Sequence, residues 1–526
     1  MIEQSPRETL TRSALDPNRF VRKRSTIAFP LAVTLLSIGV MISIAGLIGI
    51  ADSAGRGLHD GVAFLVVGSV SATAGLIWSR YYKMPRQLSS RDAMSIATSV
   101  WCLMIGVSAI AYLVSGELRV ASSLFESASG LTTTGMTALR DPSQASTTLL
   151  AWRAISQWAG GLGVLLVGFG LLPLYGGAYR LRAGKGRPGP SGTLGTKFSD
   201  VVRRVGRIYV AFSLVMFVAY LAVGASGFDS FVLSLTTVST GGFTNRAGSF
   251  KLYESAAMQW VAIGGMAVAG SSIAIWWWAL SGSVGRAFRS VQLRSYVGIL
   301  VLFSTIAAVV NGGDADDVRR SIFTVVSYSS TTGYEVVDAG TWPATLDAML
   351  FMLMVVGAMS GSTGGGLHIS RIRLLLLYLR RVLYQQVHPA SVLHVKANKK
   401  KVDEYVVANM VATTTLYGFL VLVGAAGVAA FGGQLHLSFV AAVSALSNVG
   451  PVFGVDAPTG GAEVDGVLGL TSSARFVLAG LMIAGRLGVY PALVALGDLI
   501  EPVYAKVRWI RHSLDRRSPG GGVREW

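Results

Sequence analysis

Four short segments of this chain combine serine or threonine with glycine in a way that suits a dehydrated cation. They read LTTTGMT (Leu131–Thr137), VSTGGFT (Val238–Thr244), SSTTGYE (Ser329–Glu335) and SNVGPVF (Ser447–Phe453). Glycine permits backbone angles that aim successive carbonyls at one point, and small hydroxyls add oxygen acceptors without bulk. Carbonyl oxygens gathered in this way replace the hydration shell of an ion. No carboxylate is built into the turns themselves, although Glu335 follows the third closely. That argues against a carboxylate ring for divalent cations and for dehydration of a large monovalent ion. A lone Ser/Thr/Gly turn means little, because tight extracellular turns have the same composition. Four at corresponding places mean more. Aligning them puts Gly135, Gly241, Gly333 and Gly450 in equivalent positions, spaced 106, 92 and 117 residues apart.

Irregular backbone at membrane depth is tolerated only where it is buried in protein or lines a water-filled cavity. The flanking elements fit that requirement. Each turn follows a short amphipathic stretch that is too brief to cross a bilayer: Val120–Gly130, Phe228–Thr237, Val318–Tyr328 and Leu437–Leu446. As helices these would point the negative ends of their dipoles at a shared cavity. Each unit then consists of one full span, one re-entrant segment and a second span. The second spans echo each other weakly, Gln157-Trp158 preceding Gly160-Gly161 and Gln259-Trp260 preceding Gly264-Gly265. The triplet Trp276–Trp278 reads as an interfacial aromatic belt near the inner end of its span. Two further apolar runs, Thr26–Ile50 and Gly61–Trp78, stand ahead of the first repeat. The expected fold is an all-α polytopic membrane protein with four helix–pore-loop–helix repeats around a central pore, plus two extra N-terminal transmembrane helices. Ten spans and four pore loops result.

Composition and charge agree with that fold. Of 526 residues 52% are hydrophobic and 14% charged, with a mean hydropathy of +0.55, and a span needs about 20 apolar residues. The net charge of +18 could suggest nucleic acid, but its distribution does not. Lys and Arg concentrate in every second connection: Arg7–Arg24, Arg80–Arg91, Arg180–Arg207, Arg286–Arg294, Arg371–Lys401 and Lys506–Arg524. The intervening connections carry acidic residues such as Asp52, Asp141, Asp229 and Asp314. This alternation is the positive-inside rule in one consistent register, so both termini are expected in the cytoplasm and no nucleic-acid partner is implied. The expected organisation is a cytoplasmic N-terminus (1–25), two extra helices (26–91), repeat 1 (92–180), a flexible basic cytoplasmic loop (181–207), repeat 2 (208–294), repeat 3 (295–402), repeat 4 (403–512) and a cytoplasmic tail (513–526). No cleavable signal pattern precedes Thr26. Cys102 is a lone cysteine, which excludes an intrachain disulfide, and the six histidines show no metal-binding spacing.

The residues also resemble a known family, the Trk/Ktr/HKT superfamily of potassium transporters, and within it the TrkH type, which carries two extra N-terminal helices. The likeness runs from about Arg22 to about Asp498. It rests on LFESASGLTTTGM (Leu124–Met136), TTVSTGGFTNR (Thr236–Arg246), GSTGGG (Gly361–Gly366), RLLLLYLRRVLYQQVHPASVLHVK (Arg373–Lys396) and SNVGPVFG (Ser447–Gly454). The resemblance implies potassium as the transported ion, no organic cofactor, and one selectivity filter per protomer of a homodimer. It also implies a cytosolic TrkA-like nucleotide-binding regulatory subunit and a place in the bacterial plasma (inner) membrane. By position the implied filter residues are Thr133, Thr134 and Gly135; Ser239, Thr240 and Gly241; Thr331, Thr332 and Gly333; and Asn448, Val449 and Gly450. A serine in place of Gly135 is associated in this superfamily with sodium permeation, so Gly135 favours potassium.

Two elements resemble gate parts. Gly361, Ser362, Thr363, Gly364, Gly365 and Gly366 interrupt the second helix of repeat 3, a costly sequence unless the break is wanted; in the family this segment is an intramembrane loop below the filter. Arg486 places a charge within an apolar stretch, where it is expensive and usually faces a cavity or the bundle interior. It corresponds to the arginine of the family's last helix. The chain departs from the family at Gly488, where an acidic residue is common, and at Ser447, where Asn is. Two other classes fit less well: an organic-solute transporter would need inverted halves, and a membrane enzyme would need concentrated carboxylates or histidines.

Overall fold

Long apolar runs free of internal proline become helices, and in this chain they do so almost throughout. The computed structural model describes residues 23–488 apart from 53–55, 85–89, 140, 169–193, 247, 254, 338–341, 392, 398–399 and 452–469. Most of the expected cytoplasmic N-terminus, the basic loop up to 193, the end of repeat 4 beyond 488 and the tail 513–526 lie outside the described residues.

The first two helices, α1 (Ala28–Asp52) and α2 (Arg56–Tyr81), form an antiparallel hairpin. Glycines bring their backbones together: a Cβ at Gly39 would meet the Ala72 amide nitrogen at 2.4 Å, and one at Gly75 the Leu36 nitrogen at 2.3 Å. Small residues at such crossings are what close helix packing in a membrane requires. A short parallel pairing of β1 (Lys23–Arg24) with β2 (Tyr82–Lys83) ties the open end of the hairpin.

Four units follow. The first is α3 (Ser90–Val114), α4 (Val120–Leu131) and α5 (Thr147–Leu166). The second is α6 (Leu194–Ala222), α7 (Gly227–Val238) and α8 (Ala256–Ala269), with α9 (Ile273–Leu280) and α10 (Val284–Phe288) after it. The third is α11 (Val291–Val310), α12 (Ala315–Ser330), α13 (Ala344–Val356) and α14 (Ile369–Val387). The hairpin β3 (Lys396–Ala397) and β4 (Lys400–Lys401) leads to the fourth: α15 (Glu404–Ala430), α16 (Leu435–Ser447) and α17 (Ser472–Leu487). The four short stretches expected before the turns fold as α4, α7, α12 and α16, each a little longer at one or both ends. Ser146, Ser226, Ser255 and Thr471 cap α5, α7, α8 and α17, each side-chain oxygen accepting a backbone N–H of the first turn.

Among the described residues six helices are long and apolar enough to cross a membrane: α1, α2, α3, α6, α11 and α15. These are the extra hairpin and the first span of every unit. The second spans are shorter, more polar or broken, because they line the interior. One such break overturns an expectation. The second span of repeat 2 does not run on through Trp276–Trp278; α8 and α9 meet at 100°, so the tryptophans sit on a separate short helix. Trp276 stacks on Phe212 at 5.3 Å and donates to Ser271 Oγ at the bend.

The units close into a ring. The second span of each packs against the short helix of the next: α5 on α7, α8 on α12, α13 on α16 and, completing the circuit, α17 on α4. The short helices occupy the centre and their C-terminal halves are buried, as Phe125 to Leu131 of α4 illustrate.

Candidate functional site

Each short helix ends in the same way. Thr133, Thr240, Thr331 and Asn448 adopt left-handed backbone conformations, with φ of 55°, 53°, 61° and 55°. The next residue in each case donates its N–H back to the carbonyl five residues earlier: Thr134 to Ser129, Gly241 to Thr236, Thr332 to Ser327 and Val449 to Ser444, at 2.8–3.0 Å. This six-to-one closure is the Schellman ending of a helix. A threonine in this region is uncommon and strained, and three threonines and an asparagine at equivalent positions define a common frame.

That frame corrects the alignment of the second loop. Two residues after each left-handed position comes a glycine of positive φ: Gly135 (88°), Gly242 (80°), Gly333 (77°) and Gly450 (109°). The structural partner of the other three glycines is therefore Gly242, not Gly241, and the second triplet is Thr240, Gly241 and Gly242. Ser239 falls one place earlier, level with Thr132, Ser330 and Ser447. The echo between second spans is also shifted. Gly161 packs against Tyr209 and Ser239 as Gly270 packs against Tyr296 and Ser330, whereas Gly264 faces open space.

The glycines close a second, tighter ring. A Cβ at Gly135 would lie 2.4 Å from the Gly241 carbonyl oxygen, one at Gly242 2.1 Å from that of Thr332, one at Gly333 1.9 Å from that of Val449, and one at Gly450 2.5 Å from that of Thr134. Each loop's glycine thus abuts the carbonyl of the next loop in chain order, and the fourth returns to the first. Each loop thus sets one carbonyl against the glycine of a neighbouring loop, an approach possible only because four side chains are absent.

Buried polar side chains brace this arrangement, and most were not apparent from the sequence. Glu126 of α4 and Arg153 of α5, fully and almost fully buried, pair at 2.9 Å. The Glu126 carboxylate also accepts the Ala138 N–H at 2.7 Å and the Thr137 hydroxyl. Arg153 Nη1 donates to the Thr244 carbonyl at 3.1 Å, and its guanidinium lies 4.0 Å from the Phe243 ring centroid. One turn along, Gln157 reaches the second loop as well. Arg246 pairs with Asp229 at 3.0 Å. The Tyr334 hydroxyl meets Thr236 Oγ1 at 2.6 Å, and Tyr417 meets Ser447 at 2.5 Å. Glu335 is engaged by Lys251 at 3.4 Å.

The segment 361–366 lies against the inner ends of three of the four short helices. Thr363 Oγ1 donates to the Val238 carbonyl at 3.2 Å and receives Thr240 Oγ1 at 3.3 Å. Gly365 N–H donates to Thr331 Oγ1 at 2.7 Å, and a Cβ at Gly365 would meet the Ser447 carbonyl at 2.1 Å. A Cβ at Gly364 would meet the Ser330 carbonyl at 2.6 Å. The left-handed residue of the first loop, Thr133, has no hydrogen-bond partner for its hydroxyl among the described residues. Gly361 and Gly366 shape the segment with φ of 83° and 77°. Ser362 Oγ bonds the Met359 carbonyl and accepts the Gly364 N–H. The segment is fastened to the bend of repeat 2, where Ile273 N–H donates to the Gly361 carbonyl and Met359 N–H to that of Gly270.

Arg486 sits in the last turn of α17, 7% exposed, and its Nη1 donates to the Thr363 carbonyl at 2.7 Å. Its Nε and Nη2 have no partner among the described residues. A cation at a helix C-terminus is favourably placed in the dipole field. Gly488 ends that helix with φ of 82°, a conformation that an acidic residue would adopt only under strain. The four loops, the segment 361–366 and Arg486 thus form one contact network, with the second loop shifted by one place from the expected alignment so that Gly242 enters the ring and Ser239 does not. The oxygens available are carbonyls and hydroxyls; among the described residues no group of three His, Cys, Asp or Glu side chains could hold a metal ion.

Comparison with known proteins adds the following. The TrkH family model, described as a cation transport protein, matches residues 62–501. The Trk system potassium uptake protein TrkH of Escherichia coli K12 is 27% identical over 475 residues, covering 88% of this chain and 96% of that protein. The Trk system potassium uptake protein TrkI of Halomonas elongata is 30% identical over 497 residues, covering 90% and 96%. The crystal structure of the potassium transporter TrkH from Vibrio parahaemolyticus superposes with a TM-score of 0.79 at 23% identity, covering 90% of this chain and 98% of that one. At that identity the likeness concerns the fold.

Proposed function

The chain belongs to the TrkH family of cation transport proteins, and from that premise we propose that it carries potassium into the cell across a bacterial plasma membrane. It is a multi-pass membrane protein and a transporter, not an enzyme. The observation that carries the reading is the closed circuit in which Gly135, Gly242, Gly333 and Gly450 each abut the next loop's carbonyl. Four carbonyls, one from each loop, with threonine hydroxyls beneath and no carboxylate, suit a weakly hydrated monovalent ion. In this reading the filter comprises Thr133, Thr134 and Gly135; Thr240, Gly241 and Gly242; Thr331, Thr332 and Gly333; and Asn448, Val449 and Gly450. The segment Gly361–Gly366 is the gate below it, held shut by Arg486 through the Thr363 carbonyl. The membrane potential drives inward movement, at about 2.3 kcal/mol per charge per 100 mV. The relatives are named as parts of a Trk system. We accordingly place this chain in a homodimer whose gate answers to a cytosolic, nucleotide-binding subunit of the TrkA kind.

The test is cation flux into proteoliposomes holding the purified protein, with potassium and sodium gradients applied separately. Potassium-selective flux is expected. Absence of flux for either ion, with a TrkA-like partner present as well, would remove the proposal.

A further inference from the structure

Loop 2 differs from the other three at the position just before its ring glycine. Thr134, Thr332 and Val449 carry side chains there, while loop 2 has a second glycine, Gly241. In loops 1 and 3 the threonine bonds back within its own loop, Thr134 Oγ1 to Thr132 Oγ1 and Thr332 Oγ1 to Ser330 Oγ, both at 2.8 Å. At Gly241 the missing side chain is replaced from outside. A Cβ at this position would lie 2.3 Å from both Cδ and Oε1 of Gln157, so the glycine is the space that the glutamine amide fills.

That amide is fully buried and used at both ends. Nε2 donates to the Gly241 carbonyl at 2.5 Å, and Oε1 accepts the Phe243 N–H at 3.1 Å. A carbonyl needs a donor and an N–H an acceptor, so chemistry permits one orientation of the amide. The Gly241 carbonyl is one of the four in the ring. Among the described residues the carbonyls of Thr134, Thr332 and Val449 accept no hydrogen bond. Gln157 is itself presented by a rigid base, since Arg153 one turn earlier is locked to Glu126 and to the Thr244 carbonyl. Helix α5 therefore grips loop 2 on both sides of Gly242.

We infer that Gln157 is a positioning residue that sets the cation preference, by donating to the Gly241 carbonyl and holding it at a fixed distance from the ring's centre. The inference rests on the reading of the ring as the cation filter. Two adjacent glycines give loop 2 more backbone freedom than its counterparts. Without the amide the Gly241 carbonyl could follow a smaller ion inward. With it, that carbonyl is held at the spacing of a larger one, and its field is partly spent on the donor.

Flux of potassium and of sodium is measured for the wild type, Q157M and Q157E in the same proteoliposomes. Wild-type flux that fails to prefer potassium defeats the filter reading itself. Given potassium-selective wild type, Q157M, which fills the space without hydrogen bonds, should lower the potassium-to-sodium ratio by roughly tenfold, the effect of one buried hydrogen bond. Q157E keeps the acceptor for Phe243 but loses the donor, and should lower the ratio too. A wild-type ratio in Q157M overturns the inference. So does a wild-type ratio in Q157E beside a reduced one in Q157M, because the role would then belong to the Phe243 contact. Should Q157M fail to assemble, Q157L, of similar volume and without hydrogen bonds, carries the same test with the same expected fall.

Discussion

A methyl group at Gly333 would sit 1.9 Å from the Val449 carbonyl oxygen and 2.9 Å from Cδ of Pro451. Backbone and a proline ring cannot rotate away, and the residue has φ of 77°. With about 1–3 kcal/mol of strain at such a site, Gly333→Ala should cut potassium flux by about tenfold or more, measured per unit of folded protein. Gly135→Ser meets the Gly241 carbonyl at 2.4 Å, and should raise sodium permeation relative to potassium; unchanged selectivity would count against the filter assignment. Glu126→Ala leaves the Arg153 charge buried without its carboxylate and should cost about 3–5 kcal/mol, read as a lowered unfolding temperature in detergent. These sites differ in how far the sequence revealed them. Gly135, Gly333 and Gly450 stood out because each is the single glycine of its turn. Gly241 and Gly242 are adjacent, and only the left-handed Thr240 decides which one enters the ring. Glu126 and Arg153 lie on different helices, so their pairing is a property of the packed fold.

Helices that end within the interior were legible from length and from their turns: α4, α7, α12 and α16 are too short to span and finish in glycine turns. The bend between α8 and α9 was not read, because no proline marks it; the signal present was Gly270-Ser271-Ser272, a glycine and serines of the kind that end one helix and start another. The break at Gly361–Gly366 was legible through its glycines, but its attachment to that bend was not. Both breaks serve one purpose, because the second span of repeat 2 folds away where the segment 361–366 crosses toward it. Broken spans also occur in organic-solute transporters, as paired elements of inverted halves. Here they belong to neighbouring units of a ring in which all four units run alike. Deleting Gly364–Gly366 should raise basal flux in the absence of any partner, and no gain would remove the gate assignment. Arg486→Ala should loosen the same barrier by freeing the Thr363 carbonyl, with an expression and size-exclusion check to separate gating from misfolding.

At the scale of the whole molecule, first spans face outward and second spans inward, and this division explains what hydropathy could and could not show. Among the described residues the six helices that satisfy a simple apolar-length criterion are the extra hairpin and the four first spans. The second spans carry Arg153, Gln157 and Arg486 because they meet polar loops rather than lipid. Charge alternation along the chain predicts that tags at both ends will be protected from added protease in sealed right-side-out vesicles and cleaved in inverted ones. The circuit of loops has one more consequence. Asn448 Nδ2 reaches Thr134 Oγ1 across 314 residues of sequence, and the Gly450 contact with the Thr134 carbonyl closes the ring only there. Until the ribosome has delivered the fourth unit, the first three loops can form only an open arc, with Gly333 and the Thr134 carbonyl still lacking the loop 4 neighbours that close it.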